Sequence, residues 1–263
     1  YVRMAGGLAC GGAKEIGRGP LNFLFATASD DWRSLLAPGQ MVSVGQDFLQ
    51  LAGLGPIDLG RAKIWTPEPF PAWSAATLAA GLAALERLLA DFSPAAEGLG
   101  CFARRDAVQQ NLVARALALP IERYLCWLAA GCPANAASGV EELIGAGPGL
   151  TPSGDDFLAG SLLGLHAIRR DDLADRIWTE LQPKLPHRTH EISAAHLSCA
   201  AAGRLAETQH RLLNALLVNA ESDLSVGIQA LSGDSHTSSW DGLAGMACTL
   251  RAVSGHPVPS ICH

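Results

Sequence analysis

Two regimes of hydrophobic patterning meet near residue 70. Before it, apolar residues come in short β-prone runs at Leu21–Ala26, Met41–Leu51 and Ile57–Trp65, separated by turn signals such as Ala37-Pro38-Gly39. After Pro67-Glu68-Pro69 the spacing lengthens to about one apolar residue per helical turn. Ser74–Phe92 carries Leu78, Leu82, Leu85 and Leu89 in this way, and predicts a helix with one buried stripe. Asp106–Ala130 predicts a second long helix, with Pro120 as the place for a break. Further helices are predicted at Ser153–Arg170, Leu173–Leu181, Glu191–Ala206, Arg211–Asn219 and Trp240–Val253. The expected fold class is α+β: a small β-rich N-terminal unit over residues 1–70, then a mostly α-helical domain over 71–263.

Bulk composition narrows the function classes. Of 263 residues, 49% are hydrophobic and 17% charged, the balance of a folded globule and not of a disordered chain. The net charge of −6 and pI near 5.7 exclude a general nucleic-acid binder, which needs a basic face. A small anion is still compatible, because it needs only one local cluster of donors. Every apolar run is interrupted by Glu, Arg or Asp well before 18 residues, so no membrane span is expected. The seven cysteines, Cys10, Cys101, Cys126, Cys132, Cys199, Cys248 and Cys262, include no CxxC pair. Such a scattered, odd set suits reduced thiols, and no basic-then-apolar signal segment opens the sequence. The expected compartment is therefore the cytoplasm.

The most chemically dense stretch is Gly145-Ala-Gly147-Pro148-Gly149-Leu150-Thr151-Pro152-Ser153-Gly154-Asp155-Asp156. Its glycines permit an unusual backbone path, and it runs into a predicted helix start, where free N–H groups and the dipole favour an anion. Thr151 and Ser153 add hydroxyls. Asp155 and Asp156 add carboxylates able to hold a cation, orient an amine or act as a base. The loop is no Walker motif, since no Lys follows its glycines. No parallel-sheet strand precedes it either, so it is no dinucleotide fingerprint.

An internal echo accompanies the loop. Ser153-Gly-Asp-Asp156-Phe-Leu158-Ala159-Gly160 aligns without gaps on Ser238-Ser-Trp-Asp241-Gly-Leu243-Ala244-Gly245, and Ser, Asp, Leu, Ala and Gly coincide. Ser-x-x-Asp before an apolar run also predicts a capped helix start, with the Ser oxygen accepting a first-turn N–H. The small pairs Ala159/Gly160 and Ala244/Gly245 would let two helices approach closely.

The segment Gly147-Pro-Gly-Leu-Thr-Pro-Ser-Gly-Asp-Asp-Phe-Leu-Ala-Gly160 resembles the signature of a bacterial family that includes a small subunit of oxamate carbamoyltransferase, in anaerobic allantoin breakdown. Thr189-x-x-x-Ser193-x-x-x-Leu197-x-x-Ala200-x-x-Gly203 and the stretch Gly233 to Gly245, with Ser238 and Asp241, look like later pieces of the same family. The sequence departs from that pattern at Ser239, where the first loop has Gly154. The resemblance covers residues from about 140 to 250. It implies a transferase subunit acting with two larger protein subunits, and a carbamoyl group moved between oxamate and phosphate.

Chemistry then assigns candidate roles. Gly147, Gly149, Thr151, Ser153, Gly154, Ser193, Ser238 and Asp241 are expected to bind the small anionic substrate, with Arg188 as an anion clamp. Asp155, Asp156 and His190 are the catalytic candidates. No metal cluster is expected from His187, His190, Glu191 and His196, because positions 190 and 196 share no helical face. No cofactor is firmly implied; Mg²⁺ is the candidate cation for the aspartates. His236 joins the possible donors, and Arg18 and the pairs Arg104-Arg105 and Arg169-Arg170 complete the basic residues considered. Trp65, Trp127 and Trp178 read as packing residues, and Cys199 as a small buried one. Two rival readings remain open: a non-catalytic scaffold or regulatory subunit, and a small-molecule phosphotransferase.

Overall fold

In a computed structural model the chain forms two units, Tyr1–Pro67 and Glu68–His263. The structure describes residues 1–4, 6–25, 37–51, 55–91, 97–104, 111–232 and 237–256. Arg105, Gly233, His236, Cys262 and His263, with residues 26, 92 and 106–110 of the predicted runs and helices, lie outside the described residues.

The N-terminal unit holds two three-stranded sheets. In the first, β1 (Val2–Met4) pairs antiparallel with β2 (Gly7–Gly12), Val2 opposite Ala9, and β2 pairs parallel with β3 (Asn22–Leu24), Cys10 opposite Asn22. The second is an antiparallel meander of β4 (Val42–Val44), β5 (Phe48–Leu51) and β6 (Gly55–Asp58). Strands β1 and β2 were not expected: Gly and Ala dilute the apolar pattern of β2, and β1 is only three residues long. The predicted run Ile57–Trp65 is extended only to Asp58. There the Asp58 side chain accepts the Gly60 N–H at 2.8 Å, a local turn that ends the strand. Buried apolar residues in this unit are Ala9, Leu49 and Leu51 among those described.

The second unit is helical: α1 (Ala75–Asp91), α2 (Leu112–Ala129), α3 (Val140–Leu143), α4 (Ser153–Ala167), α5 (Asp171–Leu181), α6 (Leu185–Arg188), α7 (Glu191–Ala201), α8 (Glu207–Val218), α9 (Glu221–Ser232) and α10 (Ser238–Ser254). The chain is thus α+β in the order expected. Pro120 does not break α2, which continues through it. A proline removes one backbone bond, but Ala114, Leu117, Ile121, Tyr124, Leu125 and Leu128 are all buried and hold the helix by packing. Helix α9 was not predicted. Its core residues Leu224, Ile228 and Leu231 have helical spacing, but Ser225 and Gly227 between them obscure it.

Helices α4 and α10 form the centre of this unit. In α4 every residue is buried except Asp156 and His166, and in α10 the run Trp240–Ala252 is buried throughout. A helix buried on all sides must contact neighbours with its backbone as well as its side chains, and small residues permit that. At Gly160 a Cβ would stand 2.0 Å from the Gly242 carbonyl oxygen, and at Gly245 it would stand 1.9 Å from that of Phe157. Glycine is therefore required at both positions. One turn further on, polar groups inside the pair satisfy each other: Ser161 Oγ and Thr249 Oγ1 are 2.6 Å apart, and the Tyr124 hydroxyl bonds Ser161. Buried Arg251 donates to Glu86 Oε2 at 2.9 Å.

Candidate functional site

The loop from Gly145 to Pro152 owes its path to three glycines with positive φ: Gly145 at 71°, Gly147 at 121° and Gly149 at 91°. Gly145 also passes so close to the next segment that a Cβ would lie 1.9 Å from the Arg188 carbonyl oxygen. Residues Gly147–Leu150 are exposed, while Pro152 and Ser153 are buried. The Gly154 N–H donates to the Ala146 carbonyl at 2.9 Å, closing the loop onto the first turn of α4.

Asp155 staples this loop to α7. Its Oδ1 accepts the Gly145 N–H at 2.8 Å, and its Oδ2 accepts the hydroxyls of Ser193, at 2.6 Å, and of Thr189. Burial raises its pKa, and the hydroxyls of Ser193 and Thr189 offset part of that. Both oxygens are committed to internal bonds, so Asp155 and Ser193 act on each other.

The expected cap geometry is not what forms at the two Ser-x-x-Asp segments. Ser153 and Ser238 are the first helical residues, the caps are Pro152 and Thr237, and neither cap side chain bonds the helix. One residue too far into the helix, each serine is free to turn sideways. The close approach of α4 and α10 then brings the two segments together: Thr151 Oγ1 and Ser238 Oγ are 2.9 Å apart.

The two aspartates are placed crosswise. The hydroxyls of Ser238 and Thr151 lie beside Asp156, on the other helix and the preceding loop, and the hydroxyls of Ser153 and Thr237 lie beside Asp241. Each serine thus serves the aspartate of the opposite segment. Asp241 is fully buried. Its Oδ1 accepts the Leu99 N–H, and Gly98 leaves room for it, since a Cβ there would be 2.5 Å from the same oxygen. Asp241 Oδ2 and Asp156 Oδ2 are buried and have no hydrogen-bond partner among the described residues. Burial pushes Asp241 up to about 6 and holds Asp156 well above the usual carboxylate range, with the negative charge of Asp241 raising Asp156 further.

Five sequence-predicted residues therefore meet at one place: Thr151, Ser153, Asp156, Ser238 and Asp241. Gly147 and Gly149 form the exposed side of the adjoining loop, and Gly154 packs where a Cβ would be 2.1 Å from the Leu143 carbonyl. Arg188 is turned elsewhere, donating to Glu141 Oε1 at 3.0 Å, and Lys184 pairs with the same carboxylate. His190 is an exposed helix cap whose Nδ1 accepts the Ile192 N–H at 3.2 Å. His196 is half-buried, and burial holds its pKa below the usual histidine value. Among the described residues no group of three or more His, Cys, Asp or Glu is placed to hold a metal, and no helix is long and apolar enough to cross a membrane.

Sequence reasoning missed Gly98, Leu99 and Thr237 as neighbours of Asp241. Thr237 carried a signal, since it precedes Ser238 as Pro152 precedes Ser153. Gly98 and Leu99 contribute through the backbone and are 142 residues away in the case of Leu99, so no local pattern marks them.

Residues 143–250 match the family model described as oxamate carbamoyltransferase subunit AllH. That span begins at the end of α3 and includes both Ser-x-x-Asp segments. No solved structure matches the chain.

Proposed function

We propose, for a chain whose residues 143–250 match the model of the oxamate carbamoyltransferase subunit family, that the paired helix starts bind a small anionic substrate of carbamoyl transfer. The carrying observation is the Thr151–Ser238 contact of 2.9 Å, which joins a Gly-rich loop, two helix N-termini and two aspartates in one cluster. The hydroxyls of Thr151, Ser153 and Ser238 supply donors for a phosphate or carboxylate group at the positive ends of two helix dipoles. Gly147 and Gly149 leave the loop backbone open to a ligand, with open space where a Cβ would stand at Gly149. Asp156 is, with His166, one of two α4 residues not fully buried, and it is the carboxyl nearest the proposed ligand. Carbamoyl phosphate, phosphate and oxamate all fit this donor chemistry.

Asp155, Ser193 and Thr189 hold the loop in place as positioning residues. The chemistry is completed in an assembly with larger protein subunits. Protein partners fit a chain whose cluster consists of hydroxyls and carboxylates.

A thermal-shift titration of the purified chain with carbamoyl phosphate, phosphate and oxamate tests the reading. A ligand at ~100 times its Kd adds about 2.7 kcal/mol, a rise of a few degrees for a chain of this size. The rise is expected in the wild type and absent in Thr151→Val. Absence of any rise in the wild type would sink it and favour a scaffolding role, under which the assembled complex keeps its turnover when this chain carries Thr151→Val.

A further inference from the structure

Two buried carboxylate oxygens, Asp156 Oδ2 and Asp241 Oδ2, stand without hydrogen-bond partners at the crossing of α4 and α10. A buried acceptor left unpaired is costly, and two of them belong to carboxyls close enough to influence each other's charge. The side chains beside them are hydroxyls, Ser238 and Thr151 at Asp156 and Ser153 and Thr237 at Asp241, and backbone N–H groups reach the Oδ1 side of Asp241. Oxygen-only sets suit hard cations, and soft or borderline metals prefer thiolate and imidazole.

Charge balance points the same way. The reading above places an anion against these carboxylates. Among the described residues no Lys or Arg forms an ion pair with Asp155, Asp156 or Asp241, and Arg188 is engaged by Glu141 at 3.0 Å. Asp156 and Asp241 can ionise together at this buried place only when a positive charge joins them, and a bound cation would supply it. Two carboxylates are fewer than a dedicated all-protein metal cage supplies. Mg²⁺, however, is commonly held by one or two carboxylates, water and the phosphate of its substrate.

We infer that Asp156 and Asp241 together bind one hard divalent cation of the Mg²⁺ or Mn²⁺ class, which bridges them to the anionic group of the substrate. The inference rests on the proposed anion site, and deepens it by naming the group that makes anion and aspartates compatible. Asp156 is the less buried of the two, while Asp241 is fixed by the Leu99 N–H on its Oδ1.

Electron paramagnetic resonance of Mn²⁺ titrated into the full chain, with and without phosphate, tests it. The free-ion signal is expected to fall with one Mn²⁺ bound per chain, more tightly when phosphate is present. Affinity is expected to drop at least 10-fold in Asp156→Asn and in Asp241→Asn. Asp156→Asn, at a partly buried position, keeps the test informative if the fully buried Asp241→Asn variant fails to fold. An undiminished free-ion signal in the wild type, or unchanged binding in Asp156→Asn, overturns the inference. A parallel thermal shift by phosphate in chelator-treated protein separates the two readings. A shift that is the same without metal leaves the anion site standing and removes the cation. Mn²⁺ binding that depends on Asp156 but is blind to phosphate keeps the cation and removes the anion.

Discussion

Thr151 and Ser238 are 87 residues apart in the chain, yet their hydroxyl oxygens lie 2.9 Å from each other. Each belongs to a different helix start, so the contact is a direct report of how α4 and α10 are seated. Replacing Ser238 with Ala removes one hydroxyl from a half-buried place and should cost only about 1 kcal/mol of stability. Ligand-induced stabilisation should fall much further. Chemical denaturation with and without carbamoyl phosphate measures both; a stability loss without any loss of ligand response would assign the hydroxyl to packing alone.

Gly160 and Gly245 should tolerate no side chain. A Cβ at either would meet a backbone carbonyl oxygen at 2.0 or 1.9 Å. Overpacked cores typically lose about 1–3 kcal/mol, and here the obstacle is main chain, so Gly245→Ala should lie at the upper end or beyond. Urea unfolding of Gly160→Ala and Gly245→Ala is the check. Gly149→Ala should behave differently, because its site is open and only its φ of 91° resists substitution.

Asp155 and Asp156 are neighbours in sequence with opposite expected phenotypes. Asp155 accepts three hydrogen bonds from loop and helix, so Asp155→Ala should cost at least about 2 kcal/mol. Asp156 has an unpartnered Oδ2, so Asp156→Asn should leave the melting temperature nearly unchanged while abolishing the ligand response. A paired comparison by calorimetry decides it, and equal destabilisation by the two variants would count against the division of roles.

His210 should make the helical unit acid-sensitive. Its Nε2 accepts the Leu205 N–H at 3.2 Å and its ring stacks on Phe70, and burial lowers its pKa from 6.5 to about 4. Below pH 6.5 the unfolded chain takes up a proton that the fold refuses. Stability from this group is therefore complete above pH 6.5 and is lost as pH falls towards 4, by at most about 1.4 kcal/mol per unit. His210→Asn keeps an acceptor that does not titrate, and should flatten unfolding free energy against pH in that window.

The fold class, and the existence of most helices, were legible because core residues such as Leu78, Leu82, Leu85 and Leu89 recur with the helical period. Helix α9 and strand β2 were not, since Gly, Ala and Ser interrupt their apolar pattern, and the three residues of β1 are too few to show one. The echo of Ser153–Gly160 in Ser238–Gly245 pointed to the pair of helices that meet, because small residues at matching places mark a close crossing. It misplaced the serines as caps, as the difference between a cap and a first helical residue is one position of backbone geometry. The division of labour between Asp155 and Asp156 was also hidden. It depends on Gly145, Thr189 and Ser193, which reach Asp155 only through the fold.

The glycine contacts between α4 and α10 have a kinetic meaning as well as a structural one. With carbonyl oxygens filling the space that a methyl would need at Gly160 and Gly245, neither helix can slide or roll past the other without separating. The two helix starts are consequently locked in register before any ligand arrives. On the proposed reading, capture at this place is a matter of diffusion and desolvation, with little ordering left to do, and discrimination falls to the shape and charge of the incoming molecule.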